Sequence, residues 1–131
     1  MLQTAHDPDT DGRVVFELQE DGILVVRYTG DITLDLTEKS GDILLQHIAA
    51  GVRRILFDVA GCTPVFTPVS VLDEVRRIGR AAGKEARFCY LAPENMFTRH
   101  FMLIEAAAFN DGINVKFLAD ENEAKAWLIG D

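Results

Sequence analysis

Apolar residues in this chain come as short β-rich runs and as helical stripes, and the two kinds alternate along most of its length. Residues 13–19 (RVVFELQ) and 23–28 (ILVVRY) are rich in Val, Ile and Phe, and Glu20, Asp21 and Gly22 lie between them. Two such runs around an acidic turn ending in Gly predict an antiparallel hairpin. After Gly30-Asp31, the stretch Asp35-Leu-Thr-Glu38 has the form of a capping box. Leu36, Ile43, Leu44 and Ile48 then share one helical face, and Gly51 ends the helix. Residues 54–59 (RILFDV) are almost continuously apolar, which suits a strand covered on both faces. Residues 60–68 read as a loop, with Thr67 as a helix cap and Pro68 at the first helical position. Val71, Leu72, Val75, Ile78 and Ala82 form the stripe of that helix, with Arg76, Arg77 and Arg80 opposite and Gly83 as its stop.

The remaining pattern repeats the alternation. Residues 86–91 (ARFCYL) predict a strand, and a helix over about 94–109 ends at Asn110-Asp111-Gly112. Residues 113–118 (INVKFL) predict another strand. Asp120-Glu-Asn-Glu123 is a second capping box, opening a last helix through Ala124, Trp127 and Leu128. The order is β-β-α-β-α-β-α-β-α. It predicts an α/β fold: a mixed, mostly parallel sheet with an N-terminal hairpin and four helices. Residues 1–12 are polar and acidic and are expected to be a flexible lead-in, with residues 13–131 as one domain.

Composition narrows the function classes. The 131 residues are one domain's length, and 48% hydrophobic with 26% charged is ordinary for a globular chain. Thirteen basic against 21 acidic residues give a net charge of −8. Neutralising phosphates needs clustered Lys and Arg, so nucleic acid is not an expected partner. A polybasic membrane patch is excluded on the same ground, and no apolar run is long enough for membrane insertion. Two isolated cysteines, Cys62 and Cys89, and an N-terminus without an apolar h-region point to a cytoplasmic protein.

A hairpin followed by alternating helices and strands over roughly residues 13–129 resembles the STAS domain, the SpoIIAA-like fold of anti-sigma-factor antagonists and of the cytoplasmic domains of sulfate transporters. Ile55-Leu-Phe-Asp-Val59 resembles that family's central strand, which ends in an Asp before a loop. Thr67-Pro-Val-Ser-Val-Leu72 sits where the loop runs into a helix, and Ala119 to Leu128 resembles the closing helix of a small stand-alone SpoIIAA-like group. The resemblance implies a non-enzymatic regulatory module that acts through an unknown protein partner, with the loop as its binding surface. Regulatory members carry an Asp-Ser-Ser-Gly run there, with one serine phosphorylated. In this chain the run falls on Phe66-Thr-Pro-Val69, so Thr67 alone keeps a hydroxyl, with Ser70 nearby. Asp58, Thr63, Thr67 and Ser70 are therefore the candidate binding-loop residues, with Thr67 and Ser70 as candidate phosphorylation sites.

The residues themselves supply little catalytic chemistry. A loop at the carboxyl end of an interior strand, running into a helix N-terminus, is where open α/β sheets bind ligands. The alternative is an ordinary turn with Thr67 as its cap. Asp58 is suited to act as a base or to order the loop by accepting amide hydrogen bonds. Cys62 near a helix start is a candidate for a lowered thiol pKa, whereas Cys89 inside a strand reads as core. His6, His47 and His100 have no i, i+4 spacing, and no phosphate-binding glycine motif occurs, so no metal, no cofactor and no catalytic residue is expected. The helix near 94–109 is apolar beyond one stripe: Phe97, Phe101, Ile104 and Ala108 follow one face, while Met96, Met102, Leu103 and Phe109 spread onto others. It is either wedged between neighbours within one copy or covered by a partner. Met96, Phe97, Phe101, Met102 and Phe109 are thus the candidate surface for a homodimer or, alternatively, for a carried lipid or other apolar ligand.

Overall fold

The computed structural model describes residues 2–65, 68–96 and 99–130. Six strands form one sheet in chain order: β1 (Leu2–His6), β2 (Arg13–Leu18), β3 (Ile23–Ile32), β4 (Arg54–Pro64), β5 (Arg87–Leu91) and β6 (Asn114–Leu118). The helices are α1 (Leu34–Ala49), α2 (Pro68–Ala82), α3 (Arg99–Asn110) and α4 (Glu121–Ile129), with a short 3-10 turn at Glu94–Met96. The first three strands are antiparallel, and the pairs β3–β4, β4–β5 and β5–β6 are parallel. Each crossover steps one strand in the same direction. Right-handed connections of that kind put α1, α2 and α3 on the same face. Among the described residues, α4, which follows the last strand, covers the other face.

Two apolar clusters fill the space on either side. Phe16, Leu24, Val26, Ile55, Phe57 and Phe88 meet α1 and α2 on one face. Ile23, Val25, Leu56, Cys89 and Leu91 meet Ala124 and Leu128 of α4 on the other. Ile55 and Leu56 are completely buried on opposite faces of β4, as the continuous apolar run predicts. Each contributes on the order of 1.5–3 kcal/mol by leaving water.

The hairpin, the parallel alternation and the Asp120 cap are found as expected; Asp120 accepts from the amide of Glu123 at 3.3 Å. Three expectations are corrected. The lead-in is not loose throughout, because Leu2–His6 form the edge strand β1 and add a third antiparallel strand. A ladder bonds through the backbone, so a polar sequence can join it. Asp7 then accepts from the Asp9 amide at 2.9 Å and the Thr33 hydroxyl at 2.8 Å. The cap of α1 is Thr33 rather than Asp35; its hydroxyl accepts from the amide of Leu36 at 3.1 Å. Asp35 instead pairs with Lys39 one turn on. Finally, residues 60–64 are not a loop but continue β4 alongside Thr29–Ile32, beyond a register shift between Arg27 and Thr29.

The N-terminal strand carries two testable consequences. At Gly12 a Cβ would stand 2.0 Å from the backbone oxygen of Asp31. Gly12→Ala is therefore expected to lower stability by roughly 1–3 kcal/mol, read as a reduced urea midpoint. His47 on α1 meets the Gln3 side-chain oxygen through Nε2, and burial holds its imidazole below the ordinary 6.5. The unfolded chain thus takes up this proton more readily than the folded one, so stability falls as pH drops through about 6.5. The fall in urea midpoint between pH 7.5 and 5.5 should shrink in His47→Gln.

Candidate functional site

The carboxyl end of β4 is built by what its neighbours do not do. β5 stops at Leu91, opposite Asp58, so residues 60–64 pair only with β3 and form a two-stranded ribbon. The amide of Val65 closes the ribbon on the Ile32 carbonyl at 2.9 Å. Asp58 sits at its base. One carboxylate oxygen accepts from Arg27 at 2.7 Å and the other from the amide of Ala60 at 3.2 Å. Arg27 also reaches Glu121 of α4 at 3.7 Å. Asp58 is therefore tied down as an ion pair and orders the strand extension.

The four candidate binding-loop residues do not converge on one point. Asp58 lies on the α4 side of the sheet, Thr63 is exposed in the ribbon, and Ser70 is half-buried in the first turn of α2. Thr67 and Phe97, together with the side chain of Met96, lie outside the described residues. Cys62 packs against the larger cluster and donates to the Val59 carbonyl. Burial first, and the Asp58 charge second, push its thiol up to about 11, which corrects the expectation of a lowered pKa. Cys89 is fully buried in the core.

Sequence spacing gave no sign of a second feature. A cavity of about 60 Å³ lies under α1 and α2, lined by Tyr28, Ser40, Phe57, Glu74 and Tyr90 among others. Ser40 donates to the Thr37 carbonyl at 2.9 Å. Burial raises both phenols, Tyr28 far above the ordinary tyrosine value and Tyr90 to about 12. At the rim Glu74 pairs with Arg77, which also reaches Asp42 of α1 at 3.0 Å. The five named lining residues come from five different elements. The one sequence signal was a pair of mid-helix glycines, a choice that costs a helix roughly 0.5–1 kcal/mol against Ala. A Cβ at Gly41 would stand 2.1 Å from the Glu74 carboxylate, and one at Gly79 would stand 2.2 Å from Ile113.

α3 buries Ile104 and Ala108 and leaves Phe101 half-buried, but Met102, Leu103 and Phe109 stand exposed, Phe109 at 83%. The extra apolar faces are therefore not wedged inside one copy. Met102 and Phe109 border an open groove of about 600 Å³ that runs along β6 to Trp127 of α4. Among the described residues no group of three His, Cys, Asp or Glu side chains is placed to hold a metal, and no helix is long and apolar enough to cross a membrane.

Comparison with protein-family models and with curated proteins finds no match. Solved structures do match. An uncharacterised DUF3478-family protein with a SpoIIAA-like fold from Shewanella loihica PV-4 is 18% identical, with a TM-score of 0.60 over 98% of this chain and 95% of that one. The anti-sigma factor antagonist SpoIIAA in its unphosphorylated form is also 18% identical, with a TM-score of 0.63 over 90% and 99%. An anti-sigma factor antagonist from Mycobacterium paratuberculosis is 16% identical, with a TM-score of 0.64 over 95% and 98%. The chain has the SpoIIAA-like fold.

The raised thiol has a direct consequence. Relative to an ordinary value of 9.0, a pKa of about 11 leaves about 100-fold less Cys62 thiolate at neutral pH. Native protein at pH 7.5 should resist iodoacetamide at Cys62, and unfolding in urea should release ordinary reactivity, as read by peptide mass spectrometry.

Proposed function

We propose that this chain is a non-enzymatic regulatory module that binds a protein partner with the ribbon at the carboxyl end of β4 and the first turn of α2. The observation that carries this reading is the ribbon itself. It projects past the end of β5 and presents Thr63 and Val65 to solvent, with Val65 half exposed. The strand before it is immobilised by the Asp58–Arg27 pair, so the ribbon is offered on a rigid base. Likeness in fold to two proteins named as anti-sigma factor antagonists supports the same class of action. Phosphorylation at Thr67 or Ser70 extends the reading, because it would place negative charge at the start of α2, where the helix dipole favours it. The exposed residues of α3 form a second protein-facing surface, for which a second copy of the chain was the first expectation.

The carrier alternative has less to support it. The cavity under α2 holds about 60 Å³, and among the described residues none of α3 lines it. An engineered cavity that takes up benzene has roughly 150 Å³. An apolar ligand would have to lie in the open groove beside α3.

Affinity capture from native cytoplasm tests the ribbon. Wild-type protein should retain a defined partner that Val65→Arg loses, while circular dichroism shows both equally folded. Identical capture by the two proteins, or no defined partner for either, would overturn the reading.

A further inference from the structure

The groove beside α3 has three walls of different kinds. Its floor is β6, the last strand of the sheet, and among the described residues no strand pairs with its outer side. Alternate N–H and C=O groups of an edge strand point outward and seek a backbone partner. One wall is the α3 stripe Met102, Glu105, Ala106 and Phe109, spaced at three and four residues and overhanging the sheet edge. The opposite wall is Trp127 of α4. Side chains alternate across β6. Val115 and Phe117 share a face with Phe88 and Tyr90, on the α3 side. Lys116 shares a face with Cys89, on the α4 side, where its ammonium stands 6.0 Å from the Trp127 ring. A trough with a free backbone edge as its floor and a wall of Met102, Ala106 and Phe109 interrupted by Glu105 is shaped for an added β-strand.

The charge and register of β6 say which strand. Lys116 is exposed at the centre of the strand, and among the described residues no carboxylate forms an ion pair with it. A second copy pairing through β6 about a two-fold axis would have to run antiparallel. Pairing all five residues in that arrangement sets Lys116 against its own counterpart, and like charges directly opposite are destabilising. Sliding one copy by two residues either way, the smallest shift that keeps the outward backbone groups facing each other, avoids that clash but leaves only three residues of each strand paired. A lysine at this place thus works against self-pairing and favours an acidic residue opposite.

We infer that the edge of β6 is a docking site for an extended segment of another protein, added as a seventh strand, with an acidic residue opposite Lys116 and apolar residues on either side of it packed under Met102 and Phe109. This rests on reading α3 as a protein-facing surface and is independent of the ribbon at β4.

Two labelled peptides test it: Ser-Thr-Val-Glu-Val-Thr-Ser and the same sequence with Lys in place of Glu. Fluorescence anisotropy should show the Glu peptide binding at least about fivefold tighter, the size expected for a cross-strand charge pair. Lys116→Glu should reverse the preference, which no loss of folding can imitate. Phe109→Asp, at a position already in solvent, should abolish binding without loss of helix content, and N-methylation of the peptide on its pairing edge should do the same. Alternate backbone amides within residues 114–118, those that point away from β5, should gain protection from hydrogen exchange when the Glu peptide is present. Failure of both peptides to bind at millimolar concentration, or binding indifferent to charge or N-methylation, would refute the inference. So would a dimer, seen by light scattering without peptide and dissociated by Phe109→Asp, or an apolar ligand retained in native mass spectrometry. Loss of partner capture in Val65→Arg leaves these readings unmoved, so the two surfaces can fail separately.

Discussion

Ile55, Leu56 and Phe57 meet protein on both sides of the sheet, and the rest of the molecule is arranged around that double burial. A strand with apolar residues at consecutive positions has no solvent face, so it must lie inside a sheet that is covered above and below. The crossovers supply the cover above with α1, α2 and α3. They cannot supply it below, because every step runs in the same direction. Cover below comes from α4, folded back under β4 and β5, where Ala124 and Leu128 complete the second cluster. Asp58 is the first residue of this run that cannot stay in the core, and Arg27 on the neighbouring strand neutralises it where the strand leaves. Val59 is the last buried residue of β4, and beyond it the strand continues as the ribbon.

What the sequence made legible follows from periodicity. Strands with consecutive apolar residues and helices with clean stripes were readable to within a few residues, including α2, whose span of Pro68–Ala82 follows from Pro68 and Gly83. β1 was not readable, because Leu2–His6 join the sheet through their backbone and half-bury only Gln3 and Ala5. The ribbon was missed for a related reason. Residues 60–64 contain Gly and Pro, and their pairing depends on β3 reaching as far as Ile32, a long-range fact that local sequence does not hold. The cap of α1 turned on a choice between two good capping residues two positions apart. Thr33 took the role because Asp7, distant in sequence, accepts its hydroxyl proton and holds it in place.

The sites divide along the same line. The surplus of apolar residues on α3 was visible as a broken helical stripe, and the structure leaves Met102, Leu103 and Phe109 in water. What covers them was not visible, since the answer depends on β6 being the edge and on Lys116 standing at its centre. The cavity under α2 was invisible in spacing, because Tyr28, Ser40, Glu74 and Tyr90 come from four separate elements. Gly41 and Gly79 were its only trace. Each leaves out a side chain where a neighbour comes too close for one.

The two candidate surfaces are far apart in the fold yet share one helix. The first turn of α2 stands beside the ribbon. Towards its other end, Gly79 rests against Ile113, which leads into β6 and helps line the groove. Arg76 adds a direct link to Asp111, at the end of α3, at 2.8 Å. α2 thus touches both regions, as does the sheet itself, in which β5 pairs with both β4 and β6. Shared contact alone does not make coupling, which needs an element with two arrangements whose balance both sites bias. α2 is held by the Gly79–Ile113 contact on one side and by the Glu74–Arg77–Asp42 chain to α1 on the other. Contacts on both sides favour a single position. A single position for α2 gives it no second arrangement through which to couple the ribbon and the β6 edge.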